Sequence, residues 1–206
     1  MDLPLLDTLC RDHIVDEIYQ TTMKEYYSDR TLIINDVITD TVLEDCVLHI
    51  LLWNKDDKDL PVDKRQPIKL FIDSDGGSVL AANNLINVIE CSITPVYGYA
   101  FSIAASAACS ILIACHKRYA FKHSTLLLHD GSLSVSQTSS KARDTMRYFD
   151  KIDEITRQLI VGKTKITDQE YEDNKDREQY FFASDAKEKG IIDFIIGVDC
   201  DLEEIL

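Results

Sequence analysis

The chain has 206 residues, 45% of them hydrophobic and 28% charged. That is enough apolar material for one domain with a substantial core, and it excludes a disordered chain. A formal net charge of -14 repels nucleic acid and anionic membrane surfaces, and the only adjacent basic pairs, Lys64-Arg65 and Lys117-Arg118, do not make a patch.

The six cysteines, Cys10, Cys46, Cys91, Cys109, Cys115 and Cys200, show no CxxC spacing. Most lie inside apolar runs and read as buried free thiols of a reducing compartment. Met1-Asp2-Leu3-Pro4 does not open a signal peptide, and no apolar run reaches membrane-spanning length. The expectation is a cytoplasmic protein without nucleic-acid or membrane partners.

Residues 1 to 28 carry no clean period and read as a docking segment ahead of one domain over 29–206. Thr31-Leu32-Ile33-Ile34 reads as a short buried strand. Thr41-Val42-Leu43-Glu44 offers a capped helix start, followed by Val42, Cys46, His49, Ile50 and Trp53 at helical spacing. Asn54 to Lys64 reads as a charged loop. Ile68 to Ile72 reads as a strand, then comes a diglycine turn, then a helix from Val79 to Cys91 with Val79, Ala82, Leu85, Ile86 and Ile89 on one face. Pro95 to Tyr99 reads as a strand and Ala104 to Cys115 as a buried apolar helix. Arg118 to Phe121 and Thr125 to Leu128 read as short strands. Strands alternating with helices of this length imply parallel β-α-β units.

Beyond His129 the period changes. Ala142, Met146, Phe149, Ile152, Ile155 and Leu159 step by three or four along a charged helix. The stripe needs a partner, which is either another subunit or the chain's own core. Thr167 to Glu170 matches a capping box. Ser184 to Lys189 reads as a short helix closed by Gly190, and Ile191 to Ile196 as a terminal strand.

Three segments carry candidate chemistry. Ser106 lies among alanines in Ser102-Ile103-Ala104-Ala105-Ser106-Ala107; a serine hydroxyl there is a nucleophile only if a base serves it, and otherwise a small packing residue. Gly76-Gly77 sits between a strand and a helix, where glycines bring N–H groups near a reacting oxygen or simply make a tight turn. His129 ends the strand Thr125-Leu126-Leu127-Leu128, at the carboxyl edge of a parallel sheet where α/β sites form. A carboxylate must orient such an imidazole, and Asp176-Arg177-Glu178 offers two. Asp73-Ser74-Asp75-Gly76 starts like a calcium loop, but its expected final acid falls on Asn84. No histidine pair has metal-ligand spacing, so neither a metal nor a cofactor is expected.

In order and spacing these segments resemble the Clp protease family of serine peptidase subunits, from about residue 28 to 197. Ile72-Asp73-Ser74-Asp75-Gly76-Gly77-Ser78-Val79 resembles the family's Ile-Asn-Ser-Pro-Gly-Gly-Ser-Val turn. The Ser106 segment resembles its Gly-x-Ala-Ala-Ser-Met, Leu127-Leu128-His129 its Met-Ile-His, and Asp176-Arg177-Glu178-Gln179-Tyr180 its Asp-Arg-Asp-x-Phe. Ala183 to Asp193 resembles its closing helix and strand. The resemblance implies an α/β fold of the crotonase-like, ClpP type, with a spiral β-α-β head and a projecting helical handle at roughly residues 133–165. It implies Ser106 as nucleophile, His129 as base and Glu178 as orienting acid, with Asp176 as the alternative. It implies an oxyanion hole from the amides of Gly77 and Ala107. It further implies stacked heptameric rings of identical subunits, a partner AAA+ Clp ATPase that feeds in unfolded polypeptide, and an axial role for residues 1 to 28.

The chain departs from the family pattern where Glu178 replaces aspartate, Ser102 replaces glycine, Asp75 replaces proline and Asp130-Gly131 replaces Gln-Pro. Those departures motivate an alternative, a catalytically weak or inactive scaffold subunit of a mixed ring. An acyl-CoA enzyme of the wider crotonase-like fold ranks last, because it needs no Ser-His-acid set in this order. Membrane-bound signal peptide peptidases, also related in fold, find no support here, since no transmembrane segment is visible in this sequence.

Overall fold

A computed structural model describes residues 18–131 and 138–205. The elements, in chain order, begin with α1 (residues 18–28), β1 (Thr31–Ile34), α2 (Leu48–Asp57) and β2 (Ile68–Ser74). Next come α3 (Val79–Cys91), β3 (Val96–Ala105), α4 (Ala107–Ala114), β4 (Lys117–Phe121) and β5 (Thr125–Leu128). The chain closes through α5 (Ser139–Lys163), α6 (Asp168–Asn174), β6 (Gln179–Phe182), α7 (Ala183–Glu188) and β7 (Phe194–Ile196).

The strands form one sheet in the order β1-β2-β3-β4-β7, all neighbours parallel. A short branch leaves β3, where β5 pairs parallel with its last residues and β6 pairs antiparallel with β5. Alternation in β2 sends Ile68, Leu70 and Ile72 to the core, where α3 and α4 cover them. Every residue of α4 is buried, which is why its sequence is apolar on all sides apart from Ser110, whose hydroxyl donates to Ser106 O. The opposite face carries a stacked aromatic row, Tyr99, Tyr119 and Phe194, with Ile205 of the C-terminal turn packed on it.

Arg30, at φ 55°, turns the chain from α1 into β1. Its guanidinium grips the buried carboxylate of Asp57 at 2.5 and 2.9 Å, and Thr94 Oγ1 donates to the same carboxylate at 2.8 Å. This hydrogen-bonded pairing holds the Asp57 carboxyl below the usual carboxylate range. It also explains why the helix expected to end before Asn54 runs on to Asp57: Asn54 bonds Ile50 O, Ser92 and the Ile93 amide, and Asp57 bonds Arg30. The Thr41 cap is corrected too. A π turn over Leu43–Val47 starts the helix without a side-chain cap. The caps at Ser78 and Thr167 form as expected, accepting from the Ala81 and Glu170 amides.

Two further differences bear on the site. The segment Phe101–Ala105, expected partly as helix, is the extended end of β3, and α4 starts only after Ser106. Small apolar alanines fit a buried strand as readily as a buried helix, and the pairing of Ile103, Ala104 and Ala105 with β5 decides it. Gln179–Phe182, unassigned from sequence, is β6. The charged helix after His129 forms over Ser139–Lys163, beyond residues 132–137, which lie outside the described residues. Its stripe divides: Leu159, beside the buried Ile160, packs on the core, while Met146 and Ile155 stay exposed.

Candidate active site

Ser106 is the hinge between β3 and α4. It adopts φ 56° and ψ -123°, outside the regions a side chain prefers and worth roughly 1–3 kcal/mol of strain. Two backbone bonds hold it there. Its own N–H donates to Leu127 O at 2.9 Å, and its carbonyl accepts the Ser110 amide at 3.1 Å. The turn lifts a half-buried hydroxyl to the N-terminus of α4, where the helix dipole favours negative charge.

The diglycine turn is pressed against this hinge. Gly76 stands at φ 101°, and a Cβ there would lie 2.7 Å from Ala105 O, 2.9 Å from Ser106 Cβ and 3.2 Å from Ala107 N. Only glycine fits. Gly77, at φ 151°, backs onto Ile38, whose N–H donates to Gly76 O and whose carbonyl accepts the Ser78 amide, both at 2.8 Å. Ser74 Oγ ties the turn further, donating to Asp36 O and accepting from the Gly76 amide. Among the described residues, neither the Gly77 nor the Ala107 N–H is used in a hydrogen bond.

Strand register delivers the imidazole. Ala105 lies opposite Leu127 in the β3–β5 pair, so His129 follows two residues beyond the point level with the residue before Ser106. Leu128 lies opposite Gln179 in the antiparallel β5–β6 pair, so His129 and Glu178 leave the ladder side by side. His129 Nδ1 and Glu178 Oε1 are 3.0 Å apart. An ionised carboxylate only accepts, so Nδ1 carries the proton and Nε2 is left as the basic nitrogen. The Asp130 amide donates to Lys175 O at 2.9 Å, pinning the strand end to the loop that carries Glu178.

Asp176 is not in this contact. It faces Arg177, 3.8 Å away and largely exposed. Asp75 and Ser102 are both exposed to solvent, where water screens the Asp75 carboxylate. Asp73 opens the stretch that starts like a calcium loop but lacks its final acid. Its Oδ1 accepts the Ser102 and Ile103 amides at 3.1 and 3.0 Å. No group of three or more His, Cys, Asp or Glu side chains among the described residues could hold a metal ion, and no helix there is long and apolar enough to cross a membrane.

Comparison with known proteins agrees with this architecture. The family profile described as Clp protease matches residues 15–199. The ATP-dependent Clp protease proteolytic subunit 1 of Corynebacterium jeikeium is 26% identical over 183 residues, covering 88% of this chain and 92% of that protein. Subunit 2 of Thermobifida fusca is 27% identical over 184 residues, covering 87% and 86%. A solved ClpP1 mutant from Listeria monocytogenes shares the fold with a TM-score of 0.74, at 21% identity, covering 90% of this chain and 99% of that one. The chain is therefore a divergent member of the Clp protease family.

Proposed function

We propose that the chain is a serine endopeptidase subunit that cuts unfolded polypeptide. The observation that carries this reading is the junction of a strained Ser106 at a helix N-terminus with the His129–Glu178 pair delivered by the adjoining strands. In the reaction, Ser106 Oγ attacks the substrate carbonyl carbon while His129 Nε2 takes its proton. The Gly77 and Ala107 amides stabilise the oxyanion, aided by the α4 dipole. Collapse of the intermediate breaks the C–N bond, and His129 returns the proton to the leaving amine. Water then repeats the sequence on the acyl-enzyme and frees Ser106. Glu178 holds the ring in one tautomer throughout.

The exposed Leu48, Leu51 and Leu52 of α2 and the outer turns of α5, with Met146 and Ile155, are apolar surfaces that suit contact with further copies. They support homomeric rings stacked through α5 as a handle; the axial role expected of residues 1 to 28 falls mostly on residues 1–17, outside the described residues. The names of the relatives support an ATP-driven Clp unfoldase as partner. Five free cysteines among the described residues fit the reducing cytoplasm.

The alternative, a scaffold subunit of a mixed ring with little activity, draws on the exposure of Glu178, whose side chain is 56% accessible. Hydrolysis of short fluorogenic peptides by purified wild type and Ser106→Ala separates the two. The peptidase reading expects turnover by the wild type alone, with assembly unchanged in the variant. Equal hydrolysis by both, or by neither, refutes it.

A further inference from the structure

β3 changes partners partway along its length. Up to Ala100 it runs in register with β2, Ile72 lying opposite Ala100. The next matched pair is Ser74 opposite Ala104, so β2 advances two residues while β3 advances four. The surplus falls at Phe101, Ser102 and Ile103, and from Ile103 onward β3 pairs with β5. This bulge joins the sheet that supplies the diglycine turn to the branch that supplies His129 and Glu178. A bulge leaves backbone donors outside the ladder. Here the donors at Ser102 and Ile103 both go to one oxygen, Asp73 Oδ1. Asp73 occupies the β2 position between Ile72 and Ser74, where the register slips, and lies three residues before Gly76.

We propose that Asp73 is a positioning residue: its carboxylate clips the β3 bulge and so sets Ser106 against both the diglycine turn and His129. The clip acts through backbone and never touches substrate. This inference rests on the peptidase reading above. An acceptor oxygen at this reach is what matters, so asparagine substitutes for it while alanine and serine do not.

The test is the rate at which a fluorophosphonate probe phosphonylates Ser106 in the assembled particle. Ser106 Oγ forms the P–O bond, fluoride leaves, and His129 accepts the serine proton. For Asp73→Ala we expect the labelling rate constant and kcat to fall about tenfold, with KM changed less than about twofold. Final labelling still reaches one adduct per chain, which misfolding would prevent. Asp73→Asn restores the rate, and Asp73→Ser matches Asp73→Ala. A wild-type rate in Asp73→Ala, with wild type itself labelled, overturns the positioning role alone. An unlabelled wild type overturns the peptidase reading on which it rests. Failure of both Asp73→Ala and Asp73→Ser to assemble, beside a normal Asp73→Asn, would assign Asp73 to folding and overturn the proposal as well.

Discussion

Ser106 and His129 each follow the end of one of two neighbouring strands, β3 and β5, yet in very different surroundings. Ser106 is locked by the hydrogen bond its N–H donates to Leu127 O and by Gly76, where not even a methyl group fits. His129 and Glu178 meet at the open end of an antiparallel pair, with side chains 26% and 56% accessible. A hydrogen bond this exposed adds less than about 1 kcal/mol to stability, so its value lies in orienting a ring. The difference explains how the chain accommodates a glutamate where its family has aspartate. One added methylene is absorbed at a solvated strand end, whereas one added methylene beside Ser106 has nowhere to go. Tolerance to change should therefore be low on the nucleophile side and high on the base side.

The largest effect tests the nucleophile itself. Ser106→Ala is expected to lower peptide hydrolysis by at least ~10³-fold while the particle still assembles, as read by turnover and sedimentation. Gly76→Ala comes next. Its Cβ would collide with Ala105 O and Ser106 Cβ at a φ that alanine rarely adopts, and a loss of about 10²-fold in kcat is expected from the displaced oxyanion site. A near-normal Gly76→Ala would erase the contrast between the two sides.

On the base side, Glu178→Gln is expected to lower kcat about tenfold, because the neutral amide holds the imidazolium less well. Asp176→Asn should change kcat by less than about twofold, since Asp176 does not reach His129. The reverse ranking would transfer the orienting role to Asp176. Least effect on turnover is expected from Asp57→Asn, remote from the site. It should instead cost about 3 kcal/mol of stability by leaving Arg30 charged and unmatched, measured by thermal melting. The sign in pH follows from the same pair. A carboxyl held below its ordinary value stabilises the fold above pH ~4 and loses that contribution as pH falls through the folded value. Wild type should therefore melt sooner in acid, and Asp57→Asn should show less of that dependence.

Much of this could be read from residues alone where local and tertiary preferences agree. The helix Val79–Cys91 and the strand Thr125–Leu128 take the bounds their patterns predict. The order Gly76-Gly77, Ser106, His129, Glu178 pointed to a constellation. What the pattern could not reveal depends on pairing. Ala104 and Ala105 belong to a strand because β5 lies beside them. Gln179–Phe182 is a strand because it pairs with β5, although its aromatic run Tyr180-Phe181-Phe182 was a signal that could have found it. Asp73 looked like a fragment of a cation loop, and only the register slip opposite it shows what its carboxylate holds. That Glu178 and not Asp176 meets His129 likewise depends on which residue leaves the β5–β6 ladder beside it.

The central claim, that Ser106 is a nucleophile served by His129, is met most directly by mapping the fluorophosphonate adduct on the assembled wild type and on His129→Ala. One adduct per chain on Ser106, formed at least ~10²-fold more slowly in His129→Ala, is the predicted result. Absence of an adduct on Ser106, or a rate indifferent to His129, would contradict it.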